Sequence, residues 1–257
     1  MNLWEKLPAG YDIMPTIEYY SAEVKSSDCA FVLFPGGGYT HLAKHEGEGY
    51  AKLVNCWGID AFVVKYSVSP TMFPAQLNDA RRAIQFVRYN AEKYGINPDK
   101  IVVMGSSAGG HLASMLSTYK EEVETEVNDE ISKINFLPNM QVLCYPVVDL
   151  SEDAVAHLGS RNSLLGENAD KIMCEKLSPQ LACDENTPPA FIWHNADDKC
   201  VNVYNSIDYV KNLIAYGVPA ELHIFPFGDH GIGVRPKMHC SQWTGLLFNW
   251  LKEMKFY

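Results

Sequence analysis

The sequence predicts a single α/β domain built on a mostly parallel sheet with helices on both faces. Three observations carry this. The chain has 257 residues with 47% hydrophobic and 20% charged side chains, enough for one large core. Short apolar runs alternate with helical patterns along most of its length. Several of those runs end in glycine- or aspartate-bearing loops, as strands do at the carboxyl edge of a parallel sheet.

The first strong strand is Cys29-Ala-Phe-Val-Leu-Phe34, which stops at Pro35 and three glycines. A helical pattern follows over 41–57, closed near Gly58, and a second buried strand runs through Ala61-Phe-Val-Val64 toward Tyr66. The clearest helix carries Leu77, Ala80, Ile84, Val87, Ala91 and Tyr94 on one stripe, with Arg81, Arg82, Arg88 and Lys93 largely off it and Gly95 as its stop. After the Asn97-Pro98-Asp99 turn come a strand at Ile101–Met104 and a helix from Gly109 to Tyr119. Strands at Met140–Tyr145, Ala190–Trp193 and Ala220–Phe225, and helices at Val203–Tyr216 and Ser241–Met254, complete the alternation. The acidic run Glu121, Glu122, Glu124, Glu126, Asp129 and Glu130 is expected to be a solvated loop or helix face. Residues 147–188 break the rhythm without a clear strand and are expected to form a cap or lid-like excursion.

The net charge of −10 disfavours a nucleic-acid partner. Seven scattered cysteines without a CxxC pair fit reduced thiols better than a disulfide framework. The opening MNLWEKLPAG has no signal-peptide pattern, and no stretch reaches the length of a membrane span. The expectation is a cytoplasmic protein with no membrane partner; homo-oligomerisation stays open.

The chemistry centres on Gly105-Ser106-Ser107-Ala108-Gly109, a G-x-S-x-G placed directly between a strand and a helix. Such a turn presents Ser107 as a nucleophile; centring the motif on Ser106 loses both glycines. A serine hydroxyl needs an imidazole base and a carboxylate to orient it. Two downstream strand-end loops hold these groups. His194-Asn-Ala-Asp-Asp-Lys-Cys-Val201 offers Asp197 or Asp198, and Phe225-Pro-Phe-Gly-Asp-His-Gly231 offers His230. Phe34-Pro-Gly-Gly-Gly-Tyr39 suits an oxyanion-holding turn, and the Ala108 N–H adds a further donor. It lacks the G-K-[ST] ending of a phosphate loop. His41 and His45, with Glu46 beside them, do not make H-E-x-x-H and are taken as a solvated helix face rather than a zinc site. His111 is expected to pack or hydrogen-bond locally, and Cys200 to be a buried, inert thiol. Tyr39, Trp193 and Phe227 are either pocket walls or core.

Together the loop Phe34–Tyr39, Glu46-Gly47, Asp79-Ala80-Arg81-Arg82, Gly105–Ala113, Tyr145-Pro146, Ser178-Pro179, Asp198–Val201, Asn205-Ser206 and Phe225–Gly231 resemble the α/β-hydrolase superfamily. Within it they resemble the acetyl-esterase and xylan-esterase-like group related to hormone-sensitive-lipase-type enzymes. The resemblance covers about residues 30–235 and implies a single-domain α/β-hydrolase fold. It implies Ser107, Asp198 and His230 as a catalytic triad and Gly37, Gly38 and Ala108 as oxyanion donors. It also implies a carboxylesterase that deacetylates small or oligosaccharide esters through an acyl-enzyme, with no cofactor and no metal. Pro35 stands where the lipase-type H-G-G-G has its histidine, so acyl-pocket analogies are weakened. The rival readings are a serine peptidase of prolyl-oligopeptidase type, whose relatives usually carry a further large domain, and a non-catalytic binding protein on the same fold.

Overall fold

The computed structural model describes residues 1–123 and 127–257. Seven strands form one sheet: β1 Thr16–Tyr20, β2 Ala30–Phe34, β3 Asp60–Lys65, β4 Ile101–Ser106, β5 Met140–Cys144, β6 Ala190–Asn195 and β7 Ala220–Phe225. Their spatial order is β1-β3-β2-β4-β5-β6-β7. All neighbours pair in parallel except β1, which runs antiparallel to β3 at the edge. The TIEYY run of β1 lies outside the sequence-based expectation. It is half-exposed and flanked by polar segments, so it has no core pattern of its own and is defined by its pairing.

Alternate residues of each strand enter separate cores, as the period-two geometry of a strand dictates. Val32, Phe34, Val103, Leu143 and Ile192 pack on one face with α2 (Ala75–Tyr89), α4 (Ala108–Thr118) and α8 (Tyr204–Ala215). Phe31, Leu33, Met104, Val142 and Trp193 pack on the other with α1 (Lys44–Cys56) and α9 (Trp243–Glu253). Two-sided burial explains why these strands read as continuous apolar runs.

Several expected boundaries move. The helix expected at 41–57 starts at Lys44, leaving His41 in the preceding loop. The long pattern ending at Gly95 divides at Asn90 into α2 and the single turn α3 (Ala91–Tyr94). Arg81 and Arg82, expected off the buried stripe, are themselves buried. Arg82 donates to the Leu3 carbonyl and forks onto Asp129, while Arg81 donates to the Tyr119 and Glu121 carbonyls. The acidic run is therefore not uniformly solvated: Asp129 is a partner of a buried guanidinium, and Glu121 pairs with Lys176. Glu124 and Glu126 lie outside the described residues.

Between β5 and β6 the chain forms three short helices, α5 (Leu158–Leu165), α6 (Lys171–Lys176) and α7 (Pro179–Ala182), and no strand. Polar side chains fasten this excursion to the body. Asn205 Oδ1 accepts from the Val148 and Asp149 amides, while within the excursion Ser178 Oγ accepts from the Leu150 amide. His111, on α4, reaches the Leu177 carbonyl through Nε2 and the Tyr39 hydroxyl through Nδ1. A carbonyl only accepts, so the ring proton sits on Nε2 and Tyr39 donates to Nδ1.

Full burial lowers the His111 pKa from 6.5 to about 4. The sign follows from linkage: below about pH 6.5 the unfolded chain takes up a proton that the folded chain refuses until about pH 4. Stability is complete above this window and falls as pH drops through it, by on the order of 2–3 kcal/mol from this group. His111→Gln should flatten the acid slope, so the change in melting temperature between pH 7 and pH 4.5, measured by calorimetry, should be smaller than in wild type. An unchanged slope excludes His111 as the titrating group.

Candidate active site

The site lies at the carboxyl end of the sheet, where the connections from β2 and β4 diverge to opposite faces. Such a switch point opens a crevice in parallel sheets. Ser107 ends the β4 turn with φ 53° and ψ −121°, a conformation that L residues rarely occupy. Its N–H donates to the Cys144 carbonyl, and its own carbonyl accepts from the Val147 and His111 amides. The two glycines of the motif are required by contact. A Cβ at Gly105 would stand 2.0 Å from the Gly109 carbonyl oxygen, and one at Gly109 would stand 2.0 Å from the Phe34 carbonyl oxygen.

Ser107, His230 and Asp198 form one hydrogen-bonded chain. His230 Nε2 lies 2.9 Å from Ser107 Oγ, and His230 Nδ1 lies 2.6 Å from Asp198 Oδ2. The carboxylate only accepts, so Nδ1 carries the ring proton and Nε2 is free to accept from the serine. Asp198 Oδ1 accepts from the Cys200 and Val201 amides. Its Oδ2 also lies 3.2 Å from His194 Nε2, whose other close acceptor is the Val201 carbonyl at 3.1 Å. Burial works to raise the Asp198 pKa, but the hydrogen bonds from His194, His230 and Val201 and the charge of His230 outweigh it. The carboxyl is held well below the usual carboxylate range and stays ionised.

Asp197, its neighbour, faces elsewhere. Its Oδ1 accepts from the Gly228 and Asp229 amides and so fastens the loop that carries His230. Asn195 Nδ2 donates to the Asp229 carbonyl, and His45 Nε2 to the Gly231 carbonyl. Ser106, the rival nucleophile, is fully buried and bonded to the Tyr50 hydroxyl.

Gly37, Gly38, Ser107 and His230 line one cavity of about 430 Å³. Among the described residues the Gly37 and Gly38 amides meet no protein acceptor. Ala108 is the first residue of α4, where helical geometry leaves the amide unpaired. Gly37 has φ 131°, and a Cβ there would stand 2.1 Å from the His41 carbonyl oxygen, so only glycine fits. The arrangement offers a serine, a base on an oriented imidazole and backbone donors around one space. No group of three or more His, Cys, Asp or Glu side chains among the described residues is arranged to hold a metal ion.

Two expectations are corrected here, and one left open is decided. Glu46 is not on a solvated face: it is 2% exposed, and its Oε2 accepts from the Gly36 amide at 2.8 Å. Its Oε1 accepts from the Tyr145 hydroxyl at 2.7 Å, and that hydroxyl accepts from the Gly233 amide. Because the helix begins only at Lys44, Glu46 sits in its first turn beside the glycine loop. The sequence signal was the Glu46-Gly47 pair itself, whose Gly47 packs against Pro35 and Val63. Second, Cys200 is exposed, because the turn closed by the Asp198 hydrogen bonds directs it toward the cavity. Desolvation and the Asp198 charge raise its thiol pKa. Between pocket wall and core, left open for Tyr39, Trp193 and Phe227, the structure decides against the wall: none of the three lines the cavity. Tyr39 and Trp193 are core, Trp193 stacking on Trp243, while Phe227 is 72% exposed.

This fold and site define an α/β hydrolase, and residues 18–213 match the model of one family: the chain belongs to the BD-FAE family. It is 35% identical over 232 residues to an acetylxylan esterase of Xylanibacter ruminicola, covering 88% of this chain and 45% of that protein. It is 34% identical over 254 residues to the endo-1,4-beta-xylanase B of Butyrivibrio fibrisolvens, covering 95% of this chain and 39% of that protein. The chain thus spans less than half the length of these two relatives. Its backbone matches the acetyl ester-xyloside bifunctional hydrolase of Caldicellulosiruptor lactoaceticus with a TM-score of 0.92 and 40% identity, covering all of this chain and 96% of that one.

Loss of the Glu46 carboxylate leaves the buried Gly36 amide without its acceptor and takes the charged acceptor from the Tyr145 hydroxyl, at a cost of about 1–3 kcal/mol each. Glu46→Ala should therefore lower the melting temperature by roughly 4–12 °C. A fall below 2 °C in a thermal melt means the network is not holding the loop.

Proposed function

We propose that this chain is a serine carboxylesterase acting on short-chain esters, acetylated sugars and xylan oligosaccharides among them. The observation that carries the reading is the Ser107–His230–Asp198 chain, whose serine and imidazole line one cavity with Gly37 and Gly38, residues whose amides meet no acceptor among the described residues. His230 Nε2 takes the Ser107 proton as Oγ attacks the ester carbonyl. Asp198 holds the ring and balances the imidazolium. The Gly37, Gly38 and Ala108 amides receive the oxyanion. His230 then gives its proton to the departing alcohol, leaving an acyl-Ser107, and activates the water that releases the acid. Every step uses side chains and amides of this chain, without a cofactor.

The substrate class is supported by the cavity wall. Its lining side chains are short or polar, with Thr40, His41, His157 and Ser163 among them and no Leu, Ile, Met, Phe, Tyr or Trp among the described residues that line it. A cavity of about 430 Å³ with such walls suits an acetyl group and a hydroxyl-rich alcohol better than a long acyl chain. The printed activities of the acetylxylan esterase and acetyl ester-xyloside hydrolase relatives support the same class. The excursion from Pro146 to Pro189, which brings His157 and Ser163 to the cavity, acts in this reading as its cap wall. Seven free thiols support a reducing compartment, the cytoplasm. No helix among the described residues is long and apolar enough to cross a membrane.

Ser107→Ala should abolish ester hydrolysis and labelling by a fluorophosphonate, whereas Ser106→Ala keeps the labelling; a labelled Ser107→Ala protein rejects the assignment. Asp198→Asn should lower kcat by about 10³–10⁴ while the fold is retained. Asp197→Asn should cost roughly ten-fold, because a loosened His230 loop misplaces the base without removing its carboxylate. The opposite ranking, in variants with native circular dichroism, would move the acid to Asp197.

Across a series of p-nitrophenyl esters, kcat/KM should peak at acetyl or propionyl and decline in steps, since one methylene changes binding by about 1–3 kcal/mol. A maximum at octanoyl contradicts the short-chain reading. Cleavage of aminoacyl p-nitroanilides in preference to esters contradicts the esterase reading itself.

A further inference from the structure

His157 takes no part in the reaction as written, yet its ring lines the same cavity as Ser107 and His230. It stands just before α5 on the cap wall and serves as the N-cap of that helix. Its Nδ1 accepts from the Ser160 amide at 3.1 Å and lies 2.8 Å from Ser160 Oγ. A backbone N–H can only donate, so Nδ1 is the unprotonated nitrogen and the ring proton sits on Nε2. That Nε2–H faces Cys200 Sγ at 3.6 Å. Sulfur is a weak acceptor, so a directional donor beside the nucleophile is held by a partner that an oxygen would outcompete. Gly159 leaves room for the ring, since a Cβ there would stand 3.3 Å from His157 Cε1.

We propose that His157 Nε2–H, with Cys200 beside it, forms a subsite for the alcohol part of the substrate and donates to a hydroxyl or ring oxygen of the sugar next to the scissile ester. The proposal rests on the esterase reading above. Its place in the cavity follows from the chemistry. His230 must return its proton to the leaving alkoxide, so the alcohol lies on the His230 side, while the oxyanion lies against Gly37 and Gly38. His157 is on the His230 side: Cys200, its contact, is fixed by its own amide on Asp198 Oδ1 at 2.8 Å. Burial first, and then the nearby His230 charge, lower the His157 pKa, which favours the neutral ring. A neutral imidazole N–H with a hydroxyl-rich alcohol avoids burying a second positive charge beside the imidazolium that His230 becomes. The wall also carries Ser163, a second hydroxyl facing the same space. Such a subsite distinguishes a sugar from an aryl leaving group, which presents no oxygen at that point beyond the ester itself.

The test is His157→Asn. Asparagine is a favoured N-cap, so the helix end keeps its acceptor while the Nε2–H is lost. kcat/KM should be measured on an acetylated xylo-oligosaccharide and on p-nitrophenyl acetate. The expected result is a loss on the sugar ester of at least ten-fold, expressed mainly in KM, exceeding the loss on the aryl ester at least five-fold. His157→Gln, whose longer amide can donate, should recover part of it. Cys200→Met, which fills the subsite from a surface position, should shift the ratio the same way if His157→Asn does not fold. Equal losses on both esters, or no loss on the sugar ester, overturn the subsite, as does a wild-type protein that cleaves the aryl ester and not the sugar ester. A wild-type protein that cleaves neither overturns the esterase reading and the subsite with it.

Discussion

The close approach of the turn at Ser107 to the end of β2 is the constraint on which the rest of the site depends. The two backbones meet so tightly that Gly109 has no space for a Cβ against the Phe34 carbonyl, and Gly36 none against the Ser106 carbonyl or Glu46. The serine itself is held at φ 53°, a strain of about 1–3 kcal/mol that persists because the surroundings over-determine it. Hydrogen bonds from the elbow to Cys144 and Val147 supply that support. The result is a serine that lines the cavity on a turn too crowded to relax. It also brings the glycine loop close enough for its amides to face the same space.

Around that turn, buried polar groups connect the loops that must keep register. Glu46 ties the glycine loop to the Tyr145 hydroxyl, which is bonded in turn to Gly233 beyond His230 and to Tyr50. Tyr145 also packs its ring edgewise on His230, with centroids 4.9 Å apart. In a low-dielectric interior such a network is worth keeping only when its members are satisfied, and each of these hydroxyl and carboxyl groups has a partner. Asp197, Asn195 and His45 do the same for the His230 loop from the other side. The imidazole is thus placed by a frame of hydrogen bonds rather than by its contact with Ser107 alone.

Electrostatically the candidate site centres on the buried carboxylate of Asp198. It stays ionised because two imidazoles and two amides serve it, and in the proposed reaction it offsets the cation that His230 becomes. His194, fully buried and fastened through Nδ1 to Ser206 Oγ, is the less obvious of these supports. Its Nε2 lies 3.2 Å from Asp198 Oδ2.

The layered fold and the loops that carry the candidate site are legible in the amino-acid sequence. Strands buried on both faces carry continuous apolar runs, and the loops at their carboxyl ends display Gly105–Gly109, Asp197-Asp198 and His230 in the open. These signals are local, since each depends on a few consecutive residues. Tertiary structure decided what depends on distance. The edge strand β1 has no pattern except its pairing with β3. Motif and chain order leave Asp197 and Asp198 open, the family resemblance points to Asp198, and in the structure the two separate because successive residues leaving β6 point to different partners. Glu46, beside two histidines in the sequence, becomes a buried clamp because Gly36 and Tyr145 arrive from 10 and 99 residues away. Cys200 turns outward for the same kind of reason: its exposure is set by which amides Asp198 captures, a choice made only once the turn has closed.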